Sequence, residues 1–137
     1  MARGKITDQI TNSVAHDSFN KSMDVSIIIV SYNTKTLTEK AIKSVITNTK
    51  GVNYEIIVID NNSSDGTQEL IPSNYPKIKL IKNKKNLGFA KANNQGIKIA
   101  KGDYIFLLNS DAYLVENSIF KLLEQANKIK DIGILAP

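Results

Sequence analysis

The stretch Asp103–Asp111, DYIFLLNSD, decides how the chain folds. Five apolar or aromatic residues in it are followed at once by Asn109, Ser110 and Asp111. A short apolar run bounded by polar residues predicts a strand that is buried on both faces. In an open α/β sheet, ligands bind beyond the carboxyl ends of such strands. We therefore expect Asp111 to stand at the rim of a crevice, where a carboxylate can hold a hard cation through oxygen.

The composition describes one globular domain without thiol chemistry. The chain has 137 residues, of which 42% are hydrophobic and 23% charged, so it can bury a core of its own. The absence of cysteine excludes disulfides, thiol catalysis and thiolate metal sites. His16 is the only histidine, which argues against a multi-histidine metal centre and a Ser-His-Asp triad.

Charge and hydropathy indicate where the protein works. The formal net charge of +5 is mild and more typical of a soluble, lysine-rich face than of a surface for anionic ligands or membranes. No apolar run approaches the ~18 residues of a membrane span, and the N-terminus lacks the apolar segment of a signal peptide. We therefore expect a cytoplasmic location, which includes the inner face of the membrane, and no nucleic-acid partner.

Alternating strand and helix patterns predict an α/β fold. Apolar runs predict strands at Val25–Val30, Tyr54–Ile59, Lys77–Ile81, Ile105–Leu108 and, as the start of a fifth, Ile132–Leu135. Between them, helical periodicity predicts a helix from Thr36 with a capping box to Glu39 and a short helix at Gln68–Ile71 stopped by Pro72 and Pro76. It also predicts a helix at Phe89–Ala100 capped by Gly102 and a helix through Ile119–Ile129. This order requires a Rossmann-like parallel sheet with right-handed crossovers and helices on both faces.

The strand patterns also predict positions within the sheet. Val25–Val30 and Ile105–Leu108 are continuously apolar and are expected at the centre, whereas Lys77–Ile81 alternates and is expected at an edge. Residues 1–22 show no sustained periodicity and are expected to be an added or disordered leader, with the natural start near Met23. Residues 23–137 then form the single domain.

Three predicted strands end in polar groups, which a parallel sheet brings to one edge. The groups are Ser31-Tyr32-Asn33, Asp60-Asn61-Asn62 and Asn109-Ser110-Asp111. An acidic residue after the second strand can accept from a nucleobase NH or a ribose hydroxyl, although it can equally form a turn or a cap. The sequences G-x-G-x-x-G and Walker A are both absent, which disfavours a dinucleotide enzyme and a P-loop NTPase.

The segment Asn86–Ala90 opens a helix after a basic loop and is a candidate phosphate site. Free backbone NH groups and the helix dipole favour an anion there, and Gly88 would relieve crowding. Lys84 and Lys85 either add positive charge or simply face solvent. Tyr32 either stacks on a base or packs at the end of its strand.

Asp111 is the candidate metal ligand. One carboxylate, with waters and a diphosphate, can complete the shell of a Mg²⁺ or Mn²⁺ ion. Such an ion neutralises charge on a departing diphosphate. The alternative is that Asp111 caps a helix or forms a turn.

Four motifs together resemble the GT-A fold of the family 2 inverting glycosyltransferases. They are VSIIIVSYN, EIIVIDNNSSDGT, NLGFAKANNQGI and GDYIFLLNSDAYL, in this order over residues 24–137. Within the family, the chain looks closest to bacterial rhamnosyltransferase-like enzymes that build surface polysaccharide.

The resemblance implies a nucleotide-binding set and one metal ligand. The nucleotide-binding residues it implies are Ser31, Tyr32, Asn33, Asp60, Asn62, Ser63, Asn86, Gly88, Asn93, Asn94, Asn109 and Ser110. The segment from Asn109 to Asp111 stands at the family's D-x-D position. Asn109 replaces the first Asp there, so Asp111 is the one carboxylate left for Mg²⁺ or Mn²⁺, and Asn109 offers a neutral oxygen.

The resemblance also implies the reaction. A sugar would pass with inversion from a nucleoside diphosphate sugar to a polysaccharide or lipid-linked acceptor, with peripheral membrane contact in the full enzyme. The family's general base normally lies well after the D-x-D position. We therefore expect this chain to be the donor-binding half, truncated at its C-terminal end, which binds donor without transferring sugar and which self-associates through apolar surface beside Ile132–Leu135.

Two other readings stay open. A nucleotidylyltransferase also uses an α/β nucleotide fold and a metal held by carboxylate, although it normally has a glycine-rich phosphate loop after the first strand. A non-catalytic nucleotide-binding or assembly module would keep the fold without the reaction. A preference for diphosphates with Mn²⁺, a preference for triphosphates, or the absence of nucleotide binding distinguishes the three.

Overall fold

The structure is a computed structural model that describes residues 22–129 and 133–134. The predicted leader, apart from Ser22, lies outside the described residues, as do Ile132 and Leu135 of the predicted fifth strand. Gly133 and Ile134 are described and belong to no strand or helix.

The described residues alternate strictly between strands and helices. The strands are β1 (Val25–Ser31), β2 (Tyr54–Asp60), β3 (Lys79–Lys82) and β4 (Tyr104–Asn109). The helices are α1 (Lys35–Asn48), α2 (Thr67–Asn74), α3 (Phe89–Ile99) and α4 (Ser118–Ala126). All strand pairs are parallel, in the order β3-β2-β1-β4. The predicted α/β fold with a parallel sheet is confirmed.

The core lies on both faces of β1 because successive side chains of a strand point in opposite directions. Ile27 and Ile29 join a cluster that includes Ile42 of α1, and residues of α2 and α4 pack into the same cluster. Ile28 joins a second, smaller cluster with Ala92 of α3. Helices therefore cover both faces of the sheet, as the sequence predicts.

Two glycines allow close approach to β1. A Cβ at Gly96 would lie 2.8 Å from Cγ2 of Ile28, so α3 rests directly on the sheet because this position has no side chain. A Cβ at Gly102 would lie 2.4 Å from the backbone nitrogen of Ser26. The prediction that Gly102 caps α3 is wrong, since Ala100 is the C-cap and Gly102 lets the chain pass against β1.

The predicted central position of Ile105–Leu108 is wrong for the described part of the sheet. There β4 pairs with β1 alone and forms an edge. Ile105 is 40% exposed and Leu107 49% exposed, whereas Leu108 on the opposite face is buried. The physical reason is that α3 packs on β1 and β2, which leaves this face of β4 uncovered. The predictions of a central β1 and of an edge position for β3 are confirmed.

Two predicted helix boundaries are also wrong. The N-cap of α1 is Thr34 rather than Thr36, and neither a capping box nor any other side-chain cap from Thr34 forms. Pro72 lies inside α2 instead of stopping it, whereas Pro76 directly follows the C-cap, Tyr75. The helix continues past the proline because Ile71 is fully buried and its carbonyl oxygen accepts from the Tyr75 NH at 2.8 Å.

Candidate functional site

The carboxyl ends of the strands meet along one edge of the sheet. In the register, Ser31 lies opposite Asp60, Asp60 lies opposite Lys82, and Val30 lies opposite Asn109. The three polar strand ends that the sequence singles out therefore share this edge.

An open cleft of about 490 Å³ lies at this edge, where β1 and β4 end. Its lining residues are Val30, Thr34, Leu37, Phe89, Asn109, Ser110 and Asp111. The cleft contains all three residues of the predicted metal segment, and the carboxylate-bearing Asp111 is exposed in it. Because Phe89 is the first residue of α3, the start of that helix and Asp111 border the same space.

Asp60 is fully buried and uses only one of its carboxylate oxygens within the described protein. Its Oδ2 accepts from the Ser63 NH at 2.9 Å and from Nε2 of Gln68 at 2.6 Å. Its Oδ1 is buried and has no partner among the described residues. Buried polar atoms are nearly always satisfied, so an unpartnered carboxylate oxygen is a ready acceptor for a ligand NH or OH. Oδ2 thus forms the turn that the sequence offered as an alternative, and Oδ1 is buried without a partner among the described residues.

The loops after β1 and β2 are joined by hydrogen bonds. The Asn33 NH donates to Oγ of Ser63 at 2.9 Å, and the Ser64 NH donates to Oδ1 of Asn33 at 2.8 Å. Asn33 and Asn62 have φ angles of 53° and 72°, in the left-handed region that Asn tolerates better than most residues. Asn33 and Ser63, both predicted nucleotide contacts, therefore already hold these two loops together.

The remaining polar residues of the β1 end divide into buried and exposed. Ser31 is buried, and its hydroxyl is hydrogen-bonded with those of Thr38 at 2.9 Å and Thr34 at 3.2 Å. Tyr32 is 49% exposed, and Asn62 is exposed as well. Tyr32 is thus accessible for stacking, whereas the Ser31 hydroxyl faces other side chains of the protein.

Asp65 is a site-supporting residue that the sequence reading missed. Its Oδ2 accepts from the Lys35 NH at 2.7 Å, and its Oδ1 accepts from the Thr67 hydroxyl at 2.6 Å and the Thr67 NH at 3.1 Å. Burial alone would raise the pKa of Asp65, but the hydrogen bonds from Thr67 and Lys35 outweigh it and hold the pKa below its ordinary value. One carboxylate thereby fixes the starts of α1 and α2. A partner 30 residues away leaves no local signal.

Gly88 and Phe89 at the start of α3 are exposed. Oδ1 of Asn86 accepts from the Gly88 NH at 2.8 Å, and no side chain caps the helix. Gly88 has φ 80° and ψ 166°, a region that essentially only glycine occupies. A Cβ there would meet no protein atom within 4 Å, so backbone conformation rather than crowding within the protein requires glycine. Asn93 is buried and donates to the Phe89 carbonyl at 3.1 Å, whereas Asn94 is exposed.

The donor set near Asp111 fits a hard cation that keeps other ligands. Among residues 22–129 and 133–134, no group of three or more His, Asp or Glu side chains could hold a metal by itself. Mg²⁺ usually takes one or two protein carboxylates and completes its shell with water and substrate phosphate. One carboxylate from Asp111 and the neutral oxygens of Asn109 and Ser110 match that pattern. Within the described part of the chain, no helix is long and apolar enough to cross a bilayer.

The sequence matches the profile of the family described as Glycosyl transferase family 2 over residues 26–136. The chain therefore belongs to glycosyl transferase family 2. Its described fold, with four parallel strands and flanking helices, is the GT-A fold of that family.

Two curated relatives illustrate the sequence similarity. The chain is 35% identical to a dolichol-phosphate mannosyltransferase of Pyrococcus furiosus over 115 residues, which cover 82% of this chain and 32% of that protein. It is 42% identical to the Escherichia coli UDP-Glc:alpha-D-GlcNAc-diphosphoundecaprenol beta-1,3-glucosyltransferase WfaP over 96 residues, which cover 69% of this chain and 38% of that protein. The chain thus spans about a third of the length of these relatives.

Two solved structures illustrate the fold similarity. Residues 1–349 of Staphylococcus aureus TarS in complex with UDP match with a TM-score of 0.69 at 19% identity, covering 83% of this chain and 38% of that one. The mannosyltransferase PcManGT of Pyrobaculum calidifontis, in complex with GDP-Man and Mn²⁺, matches with a TM-score of 0.62 at 23% identity, covering 70% and 30%. At these identities the matches support the fold.

Proposed function

We propose that residues 23–137 are the donor-binding part of a glycosyltransferase that transfers a sugar, with inversion, from a nucleoside diphosphate sugar. The observation that carries the proposal is the pairing of two features at one sheet edge. One is the unpartnered, buried Oδ1 of Asp60, and the other is the cleft that holds Asp111 and the start of α3. A nucleotide has a polar base and ribose at one end and a diphosphate at the other, which matches this division.

In this proposal, the nucleoside binds at the loops after β1 and β2. Oδ1 of Asp60 accepts a hydrogen bond from a base NH or a ribose hydroxyl, which removes the cost of its missing partner. Tyr32 directly follows β1 and is about half exposed, so it offers an aromatic face for stacking. Asn62 and Ser63 complete the pocket, and the hydrogen bonds between the two loops fix its shape.

The diphosphate binds between α3 and the end of β4. The backbone NH groups of the first turn of α3 point to the helix start, where an anion is favoured. Asp111, with the oxygens of Asn109 and Ser110, would hold a Mg²⁺ or Mn²⁺ ion. When bound, such an ion supplies positive charge that stabilises the leaving diphosphate.

The acceptor is proposed to be a polysaccharide or a lipid-linked sugar at the inner face of the membrane. The names of the two curated relatives refer to dolichol phosphate and to a diphosphoundecaprenol-linked sugar, which supports a lipid-linked acceptor. The motif resemblance supports a rhamnosyltransferase-like subtype as part of this proposal.

Calorimetric titration with a nucleotide panel tests the proposal. We expect the protein to bind one of UDP, GDP and dTDP, with an affinity that Mn²⁺ increases. A preference for nucleoside triphosphates would instead support a nucleotidylyltransferase. Absence of binding to every member of the panel would contradict the proposal and favour an assembly module.

A further inference from the structure

A cluster of three side-chain amides, Asn61, Asn83 and Gln95, lies directly behind the loop that precedes α3. Asn61 is 2% exposed and Asn83 9% exposed, so both are buried polar residues. Nδ2 of Asn83 donates to Oδ1 of Asn61 at 2.9 Å and to Oε1 of Gln95 at 2.8 Å. Nε2 of Gln95 donates back to Oδ1 of Asn83 at 2.9 Å. We call these three residues the amide cluster.

The amide cluster connects three elements of the fold. Asn61 follows β2, Asn83 follows β3, and Gln95 lies in the second turn of α3. The Asn83 NH also donates to the carbonyl oxygen of Asp60 at 2.9 Å, which ties the cluster to the end of β2. The reciprocal bonds between Asn83 and Gln95 thus fix α3 against the carboxyl ends of two strands.

The amide cluster also reaches the turn before α3. Nδ2 of Asn61 donates to the carbonyl oxygen of Gly88 at 3.4 Å, and the Leu87 NH donates to Oδ1 of Asn61 at 3.5 Å. These two bonds are long and therefore weak, so the position of the Asn61 amide depends on its short bond from Asn83. A further side-chain hydrogen bond at this turn is the one that the Gly88 NH donates to Oδ1 of Asn86.

We propose that Asn61, Asn83 and Gln95 are positioning residues that place the Leu87–Gly88 turn, and with it the start of α3, for binding the diphosphate of the donor. This inference rests on the proposed function, because it assigns the diphosphate to the start of α3. The cluster acts on the ligand through the turn and does not touch it. Pre-organised NH groups bind an anion without the cost of ordering the loop at the moment of binding.

Gln95→Leu is the first test, because leucine removes both bonds to Asn83 while keeping a good helix former of similar size. The double change Asn83→Leu with Gln95→Leu is the second. The double variant removes both partners of the Asn83–Gln95 pair, whereas Gln95→Leu alone leaves the Asn83 amide unsatisfied. The double variant in turn removes the short bond to Oδ1 of Asn61. Ser26→Ala is the matched control, since Ser26 is a fully buried residue whose hydroxyl donates to Glu55 at 2.6 Å at the other end of the strands.

Three measurements separate positioning from general destabilisation. UDP and GDP are titrated by calorimetry with Mn²⁺, uridine and guanosine are titrated by NMR, and amide hydrogen exchange is measured at Leu87. We expect both cluster variants to bind the diphosphate about tenfold more weakly, to keep their nucleoside affinity and to exchange the Leu87 amide faster. The control should match the unchanged protein in all three measurements.

Two results would overturn the inference. One is an unchanged diphosphate affinity in a folded cluster variant, and the other is an equal loss of nucleoside and diphosphate affinity. If the unchanged protein binds no nucleoside diphosphate, the proposed function fails together with the binding role of the cluster. Hydrogen exchange at Leu87 then still decides whether the cluster positions the turn, since unaltered exchange would refute that as well.

Discussion

At the residue scale, the two oxygens of the Asp60 carboxylate differ in their surroundings. Oδ2 is occupied by Ser63 and Gln68, whereas Oδ1 is buried without a partner. The two hydrogen-bond donors at Oδ2 require an acceptor there. An asparagine at this position would therefore keep its oxygen at Oδ2 and place its NH₂ group where Oδ1 now lies.

Asp60→Asn should consequently keep the fold and lower the affinity for a nucleoside. A donor would face the donor group of the base or ribose, and we expect a loss of about tenfold or more in nucleoside affinity. NMR titration with uridine and guanosine measures it. Asp103→Asn is the control, because Asp103 has an exposed carboxylate near the amino ends of the strands, away from Asp60. Equal affinities in the Asp60 variant and the control would exclude Asp60 from nucleoside recognition.

Asp111→Asn is expected to affect a different part of the ligand. Asp111 is exposed at the cleft, and its replacement by a neutral amide removes the one carboxylate of the proposed metal site. We expect the increase in UDP or GDP affinity that Mn²⁺ produces to disappear, while uridine or guanosine binds as before. Calorimetry with and without Mn²⁺ measures this. A variant that still responds fully to Mn²⁺ would show that the ion is held elsewhere.

At the element scale, Asp65 joins two helices that are far apart in sequence. Its carboxylate accepts from Lys35 at the start of α1 and from Thr67 at the start of α2. A negative charge is favoured at both positions because helix starts carry partial positive charge. The start of α1 therefore depends on a residue of the loop between β2 and α2.

Asp65→Asn should reduce stability in a way that depends on pH. The folded pKa of Asp65 lies below its ordinary value, so the charge stabilises the fold above the unfolded pKa of about 3.9. That contribution is lost as pH falls through the lowered folded pKa. We expect the variant to be less stable by about 1 kcal/mol at pH 7, because it loses the charge at two helix starts and one acceptor oxygen. The difference should narrow below about pH 4.

Urea unfolding from pH 7 to pH 3 measures this difference in the free energy of unfolding. Asp103→Asn serves again as the matched control, because this carboxylate lies in a bend and is exposed. A difference between Asp65→Asn and the unchanged protein that stays constant over the whole range would contradict the assigned role of the charge.

The elements also show how far a sequence predicts its fold. The alternation of strands and helices and the central place of β1 followed from apolar runs, because burial of a strand on both faces demands them. The same apolar pattern predicted a central position for β4, which is wrong. Tyr104–Leu108 is as apolar as β1, but the elements beside a strand decide whether it lies at an edge. Local sequence carries no information about which helix will cover it.

The candidate site was predictable to a similar degree. Polar residues after strands pointed to the carboxyl edge, and the register brings them together there. The supports were not predictable, because Asp65 binds residues of two elements and Asn83 and Gln95 are 12 positions apart. Such pairs form only when the tertiary structure brings their elements into contact.

At the scale of the whole molecule, the chain after Asp111 leaves the cleft. The Leu114 NH donates to the Ser44 hydroxyl at 2.9 Å, and the side chain of Asn117 donates to the Lys50 carbonyl at 3.0 Å. Ser44 lies in the second half of α1 and Lys50 directly follows its C-cap, and α1 returns towards the amino ends of the strands. The segment between Asp111 and α4 therefore leads from the carboxyl ends of the strands towards their amino ends.

Of the three acids after Asp111, the two that the structure describes do not lie at the cleft, and Asp131 lies outside the described residues. Glu116 lies in this segment between Asp111 and α4, and its Oε2 forms an ion pair with Nζ of Lys121 at 2.5 Å. Glu124 lines a separate pocket of about 270 Å³ with Asp24 and Asp103, beside the amino ends of β1 and β4. Inverting transfer requires a base on the face of the sugar opposite the leaving group, and these two residues are at the wrong end.

We therefore predict that the 137-residue chain binds a nucleoside diphosphate sugar without transferring its sugar at an enzyme-like rate. The assay supplies nucleotide sugars with glycan or lipid-linked acceptors and measures acceptor-dependent product. Product at about 1 per second or faster would contradict the prediction. In that event, Glu116→Gln and Glu124→Gln would show whether either acid is the base, because loss of a base lowers the rate by about 100-fold or more.

The hydrogen bonds that join the loops after β1 and β2 have a thermodynamic consequence for ligand binding. Asn33 already holds Ser63 and Ser64 in place, and Asp65 anchors the same loop to α1. The conformational entropy of this part of the pocket is thus lost during folding rather than during association. If the nucleoside binds here as proposed, we therefore expect its selection to depend on shape and hydrogen-bond polarity rather than on rearrangement of the loops.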